Sequence, residues 1–150
     1  MATEIDRADR AIIAELQEDG RRSYGRIGTA VGLSEGAVRQ RVARLVRSDV
    51  IRIVAVTDPE MLGFRVRATV ALRVAGSPQP LVDRLARVPE VDYVVSTAGR
   101  YDLLVEVQCP DHDRLYDVVN DLKAMSGVRD AETFVYLKLH KQTYPWPPSA

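Results

Sequence analysis

Up to Asp58 the apolar residues recur at helical spacing; beyond it, stretches of strict alternation are interleaved with further helical stretches. Ile5, Ile12, Ile13 and Leu16 form a first inward stripe. Asp6 is placed to cap this helix, Asp9 stands at the third helical position where its charge suits the N-terminal dipole, and Gly20 ends it. Ser23 caps a shorter second helix that turns Ile27 and Val31 inward and stops at Gly32. This helix contains Gly25 and Gly28, each costing about 1 kcal/mol relative to Ala. Packing must therefore hold it, or the glycines serve a close helix–helix approach. Ser34 caps a third helix over residues 35–47. Helix, Gly-containing turn and helix at this spacing is the helix-turn-helix layout.

The run Val50–Val56 is β-branched and apolar and predicts a strand, followed by a connection punctuated by Asp58, Pro59 and Gly63. From Phe64 to Val74 one face carries Val66, Ala68, Val70, Leu72 and Val74 and the other Arg65, Arg67, Thr69, Ala71 and Arg73. Leu81, Val82, Leu85 and Val88 then fall at helical spacing. Residues 91–98 and 101–109 read as strands joined tightly at Gly99-Arg100. Leu115, Val118, Val119, Leu122 and Met125 form another helical stripe, closed by Gly127, and residues 128–139 supply a last strand. The pattern predicts an α+β chain: a winged helix-turn-helix domain joined to a ferredoxin-like βαββαβ domain. The expected divisions are 1–50 for the helix-turn-helix, 51–63 for strand and linker, 64–142 for the βαββαβ domain, and 143–150 for a Pro-rich tail.

Charge changes this picture. The formal net charge is zero, yet Arg39, Arg41, Arg44, Arg47 and Arg52 fall in a stretch whose one carboxylate is Asp49. On a helical wheel Val38, Val42, Leu45 and Val46 form the core stripe of the third helix; opposite lie Gly36, Gln40, Ala43, Arg44 and Arg47, with Arg39 and Arg41 on the flanks. Small residues, then an amide, then guanidinium groups suit an element entering a major groove. Gly36 and Ala37 permit close approach, Gln40 can pair with an adenine edge and Arg44 with guanine. The flanking arginines, with Arg22 and Arg26, would meet phosphates. This assignment requires those arginines to be available to a double helix rather than locked in intramolecular ion pairs.

The remaining composition narrows the chemistry. A single cysteine, Cys109, cannot form an internal disulfide, and it reads as a small buried apolar residue. His112 and His140 stand in no nucleophile–base arrangement, no Cys/His cluster has metal-ligand spacing, and no cofactor motif is present. Asp111, Asp113, Asp117 and Asp121 read as a solvated helix face. The N-terminal sequence lacks the apolar stretch of a signal peptide and no run is long enough to span a membrane, so a cytoplasmic location is expected.

The succession Asp6-x-x-Asp9-x-x-Ile12-x-x-x-Leu16, Asp19-Gly20-Arg21, Val31-Gly32-Leu33-Ser34, Arg41-Val42-x-Arg44-Leu45, Val50-Ile51 and Asp58-Pro59-x-x-Leu62-Gly63 resembles the Lrp/AsnC (feast/famine) transcription regulators. The second half continues the likeness with Pro89-x-Val91, Gly99-x-Tyr101-Asp102-Leu103-Leu104 and Gly127-Val128. Three positions depart from it: Asp49 stands where a Gly is usual, Ala98 where Thr is frequent, and Gly28 is unusual. The resemblance implies a regulator that binds double-stranded DNA as a homodimer assembling into higher oligomers, with a small effector, often an amino acid, where dimers meet. The DNA set would comprise Arg22, Arg26, Ser34, Glu35, Gly36, Ala37, Arg39, Gln40, Arg41 and Arg44. An effector set of Ala98, Gly99, Arg100, Tyr101, Asp102, Thr133 and Tyr136 could offer turn N–H groups to a carboxylate, Asp102 to an ammonium group, and hydroxyls from the last strand. The same loop can be a plain hairpin in which Asp102 caps backbone N–H groups. Two alternatives share the layout: a tetrapyrrole decarboxylase-like enzyme, and an architectural DNA binder without an effector.

Overall fold

The computed structural model describes residues 4–142, in two compact units that part between Val56 and Thr57. The expected Pro-rich tail, 143–150, lies outside the described residues.

The N-terminal unit contains α1 (Arg7–Glu18), α2 (Tyr24–Val31) and α3 (Glu35–Arg47). Each begins at the expected cap. The Asp6 carboxylate accepts from the Asp9 N–H at 2.8 Å, and the Asp9 carboxylate accepts from the Asp6 N–H at 3.2 Å, closing a reciprocal capping box. Ser23 and Ser34 accept from the N–H groups of Arg26 and Ala37. Ile12, Ile27, Val38 and Val42 form the core, flanked by Leu16, Tyr24, Val31, Leu33 and Ile51. Gly28 is explained by close approach: a Cβ there would lie 2.5 Å from the Leu33 carbonyl oxygen. Asp49 adopts φ 54°, the left-handed conformation that Gly would otherwise supply and that Asp tolerates.

Two expectations fail in this unit. Val46 does not join the core; it is 43% exposed, so the buried stripe is narrower and centred on Val38, Val42 and Leu45. The strand expected over Val50–Val56 is not paired within this chain among the described residues. Its composition confers strand propensity, but a strand exists only when its N–H and C=O groups meet a ladder. Residues 51–56 meet none among the described residues, and Ile53, Val54 and Val56 are all more than half exposed.

The second unit has β1 (Val66–Val74), α4 (Gln79–Leu85), β2 (Val91–Ser96), β3 (Leu103–Cys109), α5 (His112–Ala124) and β4 (Val128–Val135). All neighbouring strands are antiparallel, in the order β2-β3-β1-β4, which is the ferredoxin-like arrangement. One sheet face, with Ala68, Val70, Leu72, Leu103, Val105 and Val107, packs against Leu81, Leu85, Leu115, Val118 and Leu122 of the helices. The other carries no helix of this unit. Cys109 is buried among the core residues, and burial pushes its thiol pKa up. β4 ends at Val135, short of the expected Leu139, and β2 meets β3 through residues 97–102 rather than a two-residue turn.

Candidate functional sites

The narrowed core stripe rotates α3 relative to the sequence expectation. At about 100° per residue, the point opposite Val38, Val42 and Leu45 falls on Arg47, with Gly36, Gln40 and Ala43 within about 50° of it. Gly36, Gln40, Ala43 and Arg47 are all exposed. No side-chain hydrogen bond or ion pair engages Gln40 or Arg47 among the described residues, and a Cβ at Gly36 would meet nothing within 4 Å. This strip is open to a partner.

Arg41 and Arg44 are not on it. They lie on the flank that faces the start of α1, about 70° and 130° from the stripe's centre. There Arg41 Nη1 reaches Asp6 at 2.7 Å and Asp9 at 2.9 Å, while Arg44 Nη2 reaches Asp9 at 2.5 Å and Nη1 the Glu4 carbonyl at 3.3 Å. Asp9 is fully buried. The Asp9 N–H and then the Arg41 guanidinium hold the Asp6 carboxyl below the usual carboxylate range, and Asp6 followed by Asp9 raises the Arg41 pKa. The expectation that Arg44 is poised for guanine therefore meets a correction: its guanidinium is engaged inside the protein. Including Val46 in the core had turned the wheel toward Arg44.

The remaining members of the expected DNA set are distributed around these two. Arg22 is bound to Glu15 and to Glu18. Arg39 pairs with Glu35 at 2.6 Å and lies 5.6 Å from the Tyr24 ring centre, yet its side chain is 64% exposed. Arg26 is exposed on α2. Ser34 acts as the cap described above, and Ala37 is half-buried beside it. Arg47, which the helical wheel placed opposite the core but the expected set omitted, is an exposed guanidinium on the open strip.

The expected effector residues do not assemble into one cluster. Ala98, Gly99 and Arg100 are exposed in the loop between β2 and β3. Arg100 lies 5.4 Å from the Tyr101 ring centre, and the Tyr101 hydroxyl donates to Glu132, which raises the Tyr101 pKa. Asp102 accepts from the Val74 N–H at 2.7 Å through one oxygen, as the hairpin alternative requires. Thr133 pairs with Val70 and shares its helix-packed face. Tyr136 lies on the opposite face, its hydroxyl 2.6 Å from Thr69 and donating to Glu106 at 2.7 Å. Within this chain the Thr133 and Tyr136 hydroxyls therefore lie on opposite faces of the sheet.

Among the described residues, no three His, Cys, Asp or Glu side chains converge as a metal site, and no helix is long and apolar enough to cross a membrane.

Comparison with known proteins bears on both units. Residues 5–46 match the AsnC-type helix-turn-helix domain and residues 66–146 the Lrp/AsnC ligand binding domain. The HTH-type transcriptional regulator FL11 of Pyrococcus horikoshii is 32% identical over 149 residues, covering 98% of this chain and 99% of that protein. The feast or famine regulatory protein of M. tuberculosis, solved in complex with L-methionine, is 28% identical with a TM-score of 0.88, covering 97% of this chain and 100% of that one. A Neisseria meningitidis regulator, also solved with L-Met, shares the fold at 23% identity and a TM-score of 0.85, covering 96% of this chain and 97% of that one. With both domains matched in order along nearly the whole length, this chain belongs to the Lrp/AsnC family of transcriptional regulators.

Proposed function

We propose that the chain is a cytoplasmic, sequence-specific regulator that reads duplex DNA with the Gly36–Gln40–Ala43–Arg47 strip of α3, under the control of an amino acid. The observation that carries the DNA part is the strip itself. It combines small residues that admit a groove wall, an amide able to pair bidentately with adenine, and a guanidinium, on a helix fixed from behind by Val38, Val42 and Leu45. Arg39 and Arg26 flank it as phosphate contacts. Selection of duplexes from a randomised pool tests this: enrichment of a site with two related half-sites is expected, and recovery of unrelated sequences at equal affinity contradicts it.

A second copy accounts for the helix-free sheet face, where Tyr93 is 55% and Phe134 48% exposed on one cross-strand row through Glu106 and Thr69. Two such faces packed together would form the dimer that a two-half-site operator needs.

For the effector, residues 97–102 support an amino acid. The N–H groups of Gly99 and Arg100 have no partner among the described residues, and Asp102 retains one oxygen outside its bond to Val74. Relatives solved with L-methionine make that ligand the first to try. Asp102→Asn keeps an acceptor for the Val74 N–H and removes the charge. It should abolish a methionine-dependent change in DNA affinity or assembly while leaving ligand-free DNA binding intact. A wild-type protein indifferent to every amino acid would instead be the architectural binder. The family membership favours a regulator over the decarboxylase-like alternative.

A further inference from the structure

We infer that Asp9 is a positioning residue for DNA recognition: through Arg41 and Arg44 it sets the orientation of α3, and these two arginines are clamps rather than DNA contacts. The inference rests on α3 being the reading helix. Asp9 sits on α1, 32 and 35 residues before its two partners, and is completely buried. Both carboxylate oxygens are used. One accepts from Arg41, the other from Arg44 and from the Asp6 N–H. Arg41 also reaches Asp6, and Arg44 also reaches the Glu4 carbonyl, so each guanidinium bridges two points at the start of α1.

The geometry explains why a charge is retained there. The apolar contact of α3 is a narrow stripe that fixes its distance from the body but leaves rotation about its own axis weakly determined. Two guanidinium groups one helical turn apart, converging on one buried carboxylate, determine that rotation. A carboxylate with both oxygens engaged by planar donors is directional in a way that valine packing is not. Rotation matters because base-edge contacts demand hydrogen-bond geometry, whereas phosphate contacts tolerate displacement. Asp9 should therefore affect discrimination between sequences more than attraction to DNA in general.

The experiment uses the full chain and a duplex that the wild type selects from a random pool, with a scrambled duplex as reference, over a range of salt. Arg47→Ala, on the open strip, should lower the slope of log affinity against log salt by about one, as the loss of a phosphate or base-edge cation does. Arg44→Ala and Asp9→Asn should each reduce the ratio of selected to scrambled affinity by about tenfold or more, with scrambled affinity and salt slope unchanged. The double variant should be no worse than Asp9→Asn alone, since that change already breaks the contact Arg44→Ala removes. Arg44→Lys retains the charge without the fork and should lose discrimination as Arg44→Ala does, which supplies the result if Asp9→Asn does not fold. Loss of stability alone would not change the selectivity of the folded fraction.

The proposal is overturned if Asp9→Asn tightens DNA binding, or if Arg44→Ala lowers the salt slope while Asp9→Asn is silent; Arg44 would then be a DNA contact that Asp9 restrains. Should Gln40→Ala and Arg47→Ala leave binding untouched as well, α3 is not the reader, and the proposed function fails with the inference.

Discussion

The two units place charge in opposite ways. In the helical unit a carboxylate is buried, and α1 and α3 are joined through Asp9, Arg41 and Arg44 as well as through a small core of Ile12, Ile27, Val38 and Val42. In the sheet unit the buried positions are aliphatic apart from Cys109, while Arg67, Asp92, Glu106 and Tyr136 interact on the face the helices leave open. The difference follows from what fixes geometry in each. A four-stranded sheet is registered by its own backbone ladder, so its core need only be apolar and well filled. Three short helices have no ladder between them, and a few valines and isoleucines specify contact without specifying angle. A buried ion pair supplies direction, at the cost of desolvating the carboxylate.

Substitutions can sharpen that contrast. The largest effect is expected in the sheet unit from Leu72→Ala, which opens a cavity at a fully buried residue and should destabilise that unit by about 3–4 kcal/mol. Hydrogen exchange should show protection falling in β1–β4 and unchanged in α1–α3. Asp9→Ala should cost the helical unit about 2–3 kcal/mol, below the cost of breaking a fully buried pair because Arg41 and Arg44 are 30% and 38% exposed and can regain water. Gly28→Ala should cost about 1–2 kcal/mol in a thermal melt: the clash with the Leu33 carbonyl outweighs the gain in helix propensity. The smallest effect is the acid dependence. Because Asp6 is depressed, its contribution is fully present above the ordinary carboxylate value of about 3.9 and is lost as pH falls through the lowered one. The stability difference between wild type and Asp6→Asn should therefore hold from neutral pH down to about pH 4 and shrink only below it, as unfolding is measured toward about pH 2.

Much of this architecture was legible in the chain. The caps Asp6, Ser23 and Ser34 and the strand alternation of β1 are local signals, and the structure contains each. That the strand expected at Val50–Val56 is unpaired within this chain among the described residues was not legible, because pairing is decided by a neighbour that local composition does not name. The site was less legible for a related reason. Position on a wheel shows which way a Cα–Cβ bond leaves the helix, but Arg44 is long enough to turn back to a carboxylate 35 residues away. The DxxD motif spanning Asp6 and Asp9 was read as capping chemistry, and nothing local signals that Asp9 also receives two arginines. In the effector set, parity along β4 could have separated Thr133 from Tyr136 beforehand; their spacing of three residues already assigns them to opposite faces.

The central claim is that the open strip of α3 distinguishes one DNA sequence from another. Gln40→Ala tests it most directly, since Gln40 is exposed, uncharged and outside the Asp9 cluster, so its loss changes neither the ionic attraction nor the placement of the helix. Affinity for the selected duplex should fall about tenfold while affinity for the scrambled duplex holds. An unchanged ratio between the two would contradict the account.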